Sequence, residues 1–270
     1  NYAVTALVRS TNKPLHSGVD ETCIADICDA SSLGSAFAGI DTVFHLAGAA
    51  HVNTRDSAAM HRLIVRGTEN VLHAAIAANV RRFVYLSSSL VQACETGMGD
   101  ITDYGQSKLE AERLVMAAHV NQQIEATILR PVNVYGAGMK GNIASMISLI
   151  GKGQLPPLPK VETKISLVGI GDLVQAIVLA INKSDAAGRT YYVTDGIRYS
   201  ITEIEQAIYR AWGRKVPVWK TPRMLLYCAA GLAGLLTRLF ILIGLKRGSA
   251  GGISGRTYRN LVKDNLFSNE

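Results

Sequence analysis

The sequence predicts an α/β chain organised around a doubly wound parallel sheet, followed by a smaller C-terminal lobe. Three observations point there. Over the first 195 residues, short β-branched runs alternate with amphipathic stretches at helical spacing. Strand, helix and strand in that order imply parallel strands joined by crossover helices. From about residue 196 the pattern gives way to helices and loops. The 270 residues, 48% hydrophobic and only 18% charged, leave room for one large domain and a smaller one around filled cores.

Taken in order, Val4–Val8, Cys23–Ala25, Thr42–Ala47, Phe83–Ser87, Ala126–Leu129 and Tyr191–Thr194 read as strands. Asp56–Ala78, Tyr104–His119 and Asn142–Gly151 carry the helical period between them, and Asp172–Asn182 adds a helix with Asp172 as its cap. The chain shows no internal repeat and no low-complexity tract.

A dinucleotide-binding sheet of this kind opens with a strand and a glycine-rich turn, whose backbone amides meet a pyrophosphate at a helix N-terminus. Nothing of that sort precedes Asn1, so the chain reads as starting just before the second strand. In the strand order 3-2-1-4-5-6 the absent strand is the central one. The expectation is a fragment lacking about 25 residues of strand, loop and helix, with two unpaired edges inside the sheet. Gly136-Ala-Gly138-Met-Lys-Gly141 matches Gly-x-Gly-x-x-Gly, but it follows the sixth strand of the series, after the interruption at Arg130-Pro131. A glycine-rich loop bordering substrate is the better reading.

Composition removes several function classes. The cysteines Cys23, Cys28, Cys94 and Cys228 form no Cys-x-x-Cys pair, and the histidines show no ligand spacing. No disulfide framework and no metal site are expected, and the setting reads as reducing and cytoplasmic, with no cleavable leader. Residues 210–270 hold eleven Lys and Arg against Asp264 and Glu270, whereas 1–209 are close to neutral. That asymmetry is read as a solvated basic face, an anionic substrate or an acidic membrane surface. Nucleic acid is excluded as a partner, because no aromatic residues interleave with the charges on a recognisable module. Met224–Leu245 is mostly apolar but contains Arg238 and three glycines. A central Arg costs about 2.5–3.5 kcal/mol on insertion, so 224–245 reads as a packed helix or a weak membrane-surface contact rather than a span.

Tyr104 and Lys108 stand four apart on a predicted helix and so share one face. A free tyrosine is a weak base at neutral pH, but a nearby ammonium favours the phenolate and makes it a usable acid/base at a carbinol. The run Ser87-Ser88-Ser89 at a strand end supplies three hydroxyls able to hold the same substrate oxygen. Tyr-x-x-x-Lys alone is weak; joined to that serine run in an α/β chain it becomes strong.

With these residues in place, the chain resembles the extended short-chain dehydrogenase/reductase family, in its NAD-dependent epimerase/dehydratase branch. The matching stretches are Ala25-Asp26-Ile27-Cys28-Asp29, Val43-Phe44-His45-Leu46-Ala47-Gly48, Gly67-Thr68-Glu69-Asn70-Val71-Leu72, Tyr104 through Lys108 to Glu112, and Leu129-Arg130-Pro131-Val132-Asn133-Val134-Tyr135-Gly136. Ser166-Leu-Val168 with Asp172-Leu-Val174, and Tyr192-Val-Thr-Asp195-Gly196, look most like nucleoside-diphosphate-sugar 4-epimerases.

The resemblance implies a Rossmann-type domain over 1–140 and 165–195 and a substrate lobe over 141–164 and 196–270. It implies Tyr104 as acid/base, Lys108 on the nicotinamide ribose and Ser88 as the catalytic hydroxyl, three residues before Val91. Asp26 and Ile27 would border adenine, and Leu46, Ala47, Gly48 and Pro131 would line the cofactor cleft. Arg9, where an NAD enzyme carries an acid for the ribose 2′-hydroxyl, favours NADP or leaves NAD and NADP open. Ser89, Asn133 and Asn142 would face the sugar nucleotide, and helices 56–78 and 104–119 would form a homodimer. Two departures matter: Ser89-Leu90 replaces the Asp-Glu pair of dehydratases, which disfavours dehydration, and Ile64 stands where many members have Asn. The implied reaction is a sugar-nucleotide 4-epimerisation. The alternatives are net oxidation or reduction of a hydroxysteroid- or flavanol-type substrate, and a non-catalytic dinucleotide sensor.

Overall fold

β-Branched and aromatic residues favour the pleated, half-buried surface of a strand. Such runs form β1 (Thr5–Val8), β2 (Glu21–Ile24), β3 (Thr42–His45) and β4 (Arg82–Leu86). Between β3 and β4 lie α1 (Ser57–His61), a π-helical turn (Arg62–Arg66) and α2 (Gly67–Ala77). Then follow α3 (Val91–Thr96), α4 (Asp103–Val120), β5 (Glu125–Pro131), β6 (Asn133–Tyr135), α5 (Asn142–Gly151) and β7 (Lys164–Gly169). The series ends with α6 (Ile170–Asn182), β8 (Arg189–Val193), β9 (Arg198–Ser200) and α7 (Ile201–Ala211). The computed structural model describes residues 2–10, 17–48, 56–160 and 163–222, with Met224 and Phe267. The run 224–245 thus lies, Met224 apart, outside the described residues.

The chain divides into two compact units. One holds the chain up to Val132 with Gly171–Val193, the other Asn133–Ile170 with the chain from Thr194. In the first unit β3-β4-β5-β8 form a parallel sheet, with His45 opposite Tyr85, Tyr85 opposite Ile128 and Pro131 opposite Val193. β1 and β2 pair in parallel as a separate ladder, and no described ladder joins β1 to β3. Among the described residues each of those two strands therefore has one edge without a partner strand. The helices α2 and α4 close on the sheet around Phe83, Tyr85, Ile128, Val71, Leu72 and Val115.

Two local features set the packing of the helices. Gly67 lets α2 approach Ile27 closely, since a Cβ there would come within 2.8 Å of its Cδ1. α4 starts where Thr102 accepts from the Gly105 amide, with Asp103 in the first turn suited to the helix dipole. Its buried face carries Gly105, Ser107 and Ala111 as well as Val115, so small residues let the helix sit close to the sheet.

The second unit packs α5 and α7 on the sheet β6-β7-β9, around Met146, Ile150, Ile165, Leu167, Ile204 and Ile208. Ser200 and Glu203 form a reciprocal capping box at α7. Glu205, 1% exposed, accepts from the Leu158 amide at 2.6 Å and from Lys220 Nζ at 2.5 Å. The sequence pattern does not predict the three strands of this unit; β6 and β9, with three residues each, are too short to establish a period, and β7 is buried from Ile165 to Val168 without alternation. α6 begins two residues before the expected cap, so Asp172 lies in its first turn rather than ahead of it.

Candidate active site

Parallel strands bring their carboxyl ends to one edge of a sheet, where open α/β folds bind ligands. β3 runs out there into Leu46-Ala47-Gly48 and β4 into Ser87-Ser88-Ser89, while β5 ends on Pro131. Backbone bonds fix that edge: Ser87 N donates to Leu129 O at 2.7 Å and Ser89 N to Pro131 O at 3.0 Å.

α4 delivers Tyr104 and Lys108 to the same edge. Lys108, 2% exposed, donates from Nζ to the Leu86 carbonyl at 2.8 Å and stands 4.5 Å from the Tyr85 ring centre. Burial lowers its pKa to about 8, against an upward pull from Glu112 one turn further on. Tyr104 is half-buried, and that burial pushes its phenol above the usual tyrosine range. The depression expected from a neighbouring ammonium is not what governs it, since the ammonium is engaged with Leu86 and Tyr85.

The serines differ sharply. Ser88 is half-buried, its Oγ accepting from Leu90 N at 3.3 Å. Ser87 and Ser89 are buried, and Ser87 Oγ has no hydrogen-bond partner among the described residues. Leu46, Ala47 and Gly48 are exposed. A Cβ on Gly48 would stand 3.5 Å from Lys108 Nζ, so glycine keeps the approach to the ammonium free of a side chain. A ribose hydroxyl reaching Lys108 needs that space, and the residues at this edge fit a nicotinamide ribose on that ground.

Two supports went unnoticed in the sequence. His45, 4% exposed, stacks on Tyr85 at 5.7 Å and 17° and pairs through Nε2 with Thr68 Oγ1 at 3.0 Å. Thr68 gives its only proton to the Ile64 carbonyl at 2.5 Å, which assigns the Nε2–H tautomer to His45. Burial, with Lys108 adding to it, holds His45 neutral by lowering its pKa to about 3. The second support is Arg130, 7% exposed. It grips Glu112 through Nε at 2.9 Å and Nη2 at 2.5 Å, Glu95 at 2.6 and 2.8 Å, and the Tyr192 hydroxyl at 3.0 Å. Glu112 lies four residues after Lys108, and that spacing was the available signal.

The remaining expected residues are dispersed. Arg9 is exposed at the end of β1, and its charge reaches Cys28. Asp26 is exposed and accepts from Cys28 N at 2.9 Å, whereas Ile27 is buried against α2, its carbonyl accepting from Asn70 Nδ2 at 2.8 Å. Asn133 opens β6 and Asn142 opens α5, both exposed and both in the second unit. The loop Gly136–Gly141 joins these two elements, with positive φ at Gly136, Gly138 and Gly141. Among the described residues no cluster of His, Cys, Asp and Glu suits a metal ion, and no helix is long and apolar enough to cross a membrane.

Comparison with known proteins gives the family. A UDP-glucose 4-epimerase of Vibrio cholerae is 34% identical over 66% of the chain. A 3-beta-hydroxysteroid dehydrogenase of Mycolicibacterium neoaurum is 27% identical over 73% of it. The chain spans 60% of the length of each. The structure of the UDP-glucose 4-epimerase of Thermotoga maritima with UDP-glucose superposes with a TM-score of 0.68 at 22% identity, covering 82% of this chain and 78% of that one. At that identity the likeness shows the fold. Residues 1–194 match the sequence model of the NAD dependent epimerase/dehydratase family, and the chain belongs to that family.

Proposed function

We propose that the chain carries the catalytic edge of a sugar-nucleotide 4-epimerase that works with NAD or NADP. The observation that carries this reading is the buried Lys108 beside Tyr104 at the end of β4, followed by a serine run in which Ser89-Leu90 holds no carboxylate. Such an edge moves a proton on and off a carbinol but has no acid/base pair for expelling water. The identity shared with the Vibrio cholerae UDP-glucose 4-epimerase supports the same substrate class.

In this mechanism Tyr104 takes the proton of the sugar 4-hydroxyl and later returns it, while Ser88 holds the same oxygen. Lys108 binds the ribose hydroxyls past Gly48. Arg9 meets the adenosine ribose and Asp26 and Ile27 the adenine; Leu46, Ala47 and Pro131 border the cleft. Ser89 contacts the sugar nucleotide, and α2 and α4 serve a homodimer. A nicotinamide held at this edge by Lys108 would supply the acceptor and donor of hydride for the sugar C4.

The test is to incubate the full-length protein with UDP-glucose and a trace of NAD or NADP, following the 4-epimer by NMR. Epimer without accumulated reduced cofactor is the expected result, and Tyr104→Phe should lower the rate by about 10²–10⁴-fold. Steady accumulation of reduced cofactor would instead support net oxidation of a hydroxy substrate. The 27% identical hydroxysteroid dehydrogenase is what favours that second reading.

A further inference from the structure

Lys108 carries its charge on a long stem with many rotamers, and such a charge has to be seated before it can meet a ligand in one place. α4 brings the stem in, but the seat belongs to β4. Nζ donates to the Leu86 carbonyl at 2.8 Å and lies 4.5 Å from the centre of the Tyr85 ring. An ammonium has three N–H donors and no acceptor. Leu86 takes one, and the negative face of the ring attracts the charge itself. Donors therefore remain for the gap beside Gly48, where a Cβ would stand 3.5 Å from Nζ.

Tyr85 is itself held. It is 0% exposed and sits on the strand between β3 and β5, opposite His45 on one side and Ile128 on the other. The His45 ring stacks on it at 17°, and Phe83, Leu72 and Val115 belong to the same core. A ring so enclosed cannot swing away, so its face is a fixed reference for the lysine head. A leucine there would fill much of the same space but present no quadrupole to the charge. Among the described residues the titratable groups around Lys108 are Tyr104 and Glu112, one turn to either side on α4, with His45 on β3 and Tyr85 on β4. His45 is held neutral, which leaves Glu112 and the Tyr85 ring to favour the ammonium.

We propose that Tyr85 is a positioning residue: its ring, backed by His45, seats the Lys108 ammonium so that the remaining donors meet the cofactor ribose in the gap beside Gly48. The inference rests on the role proposed above for Lys108 at the ribose, and not on which carbinol is turned over.

A fluorination series tests it in the full-length protein. Tyr85→Phe keeps the ring, and progressively fluorinated phenylalanines at the same position drain the ring face at nearly constant shape. The fold is therefore kept while the attraction for the ammonium falls. The Lys108 pKa is read from the pH dependence of urea unfolding, each protein being paired with Lys108→Met in the same background. It is expected to fall by about one pH unit across the series. NADH and NADPH affinities, from fluorescence titration, should weaken about fivefold in step with it. A side chain that only fills space would move neither quantity. A Lys108 pKa that stays constant along the series overturns the proposal. So does constant cofactor affinity along the series when Lys108→Met alone weakens binding. If Lys108→Met binds both cofactors as wild type does, the ribose role fails and takes the proposal with it, and that result is distinct from the other two.

Discussion

Lys108 Nζ lies 2.8 Å from the carbonyl oxygen of Leu86, and the same nitrogen stands 4.5 Å from the centre of the Tyr85 ring. One neutral acceptor and one aromatic face are modest company for an ammonium only 2% exposed. Burial lowers its pKa from 10.5 to about 8. Below pH 8 folded and unfolded chains both carry the charge, and the folded state bears the whole cost, about 3 kcal/mol. Between pH 8 and 10.5 the unfolded chain holds the proton that the folded chain has released, so stability rises with pH. Lys108→Met removes that dependence along with the Leu86 bond. Urea unfolding at pH 7 and pH 10 should show wild type gaining most of about 3 kcal/mol relative to the variant. A constant difference between the two proteins would rule out a buried charge at this position.

Glu112 opposes that shift from one turn along α4, and its own carboxylate is held by Arg130 at 2.5 and 2.9 Å. Removing one partner of a buried pair leaves the other uncompensated, at a cost of about 3–5 kcal/mol. Arg130 keeps Glu95, so Glu112→Gln should fall at the lower end of that range. It should also move the alkaline limb of the pH–rate profile downward, because Lys108 loses the upward pull of the Glu112 charge. Coupling is measured by a double-mutant cycle with Arg130→Met, expected to exceed about 1 kcal/mol. Strict additivity would make the network an accident of packing.

His45 brings an acid sensitivity of its own. Its folded pKa of about 3 lies below the ordinary 6.5. As pH falls through 6.5 the unfolded chain takes up a proton that the folded chain refuses, and stability drops steadily toward pH 3. His45→Gln keeps a donor for Thr68 and removes the titration. Wild type should lose stability relative to this variant by about 1.4 kcal/mol for each pH unit below 6.5. Parallel acid unfolding curves for the two would contradict a neutral buried imidazole.

The legible parts of this protein share a physical cause. Strands β3, β4 and β5 announce themselves through β-branched runs, and Tyr104 and Lys108 through a spacing that needs only helical geometry. The supports of the site are different in kind. His45 meets Thr68 across 23 residues of sequence and Arg130 meets Glu95 across 35, and no local period encodes such pairs. Ser88 shows the same limit from the other side. The serine run is plain in the sequence, yet only the structure shows that Ser87 and Ser89 are buried while Ser88 is half-exposed. The motif places Ile27 at adenine, and its burial against Gly67 depends on a helix forty residues further on.

α4 is fixed at both ends, which matters because it carries Tyr104 and Lys108. Thr102 caps its start, and near its finish His119 Nδ1 accepts from Ala126 N at 3.3 Å. Gly188 closes over that histidine. Its amide donates to Ala126 O at 2.7 Å, its φ is +74°, and a Cβ there would come within 2.5 Å of His119 Nε2. Gly188→Ala therefore meets two penalties. The left-handed backbone costs about 1–2 kcal/mol for a residue with a Cβ. The clash adds about 1 kcal/mol or more, since His119 must leave its pocket or β8 must shift. Thermal unfolding should place the variant at least 2 kcal/mol below wild type by these terms. His119→Ala in the same chain removes only the clash, so the double variant should lose less than the two single changes together. If the losses simply add, the imidazole is not what Gly188 accommodates, and the backbone conformation alone accounts for the glycine.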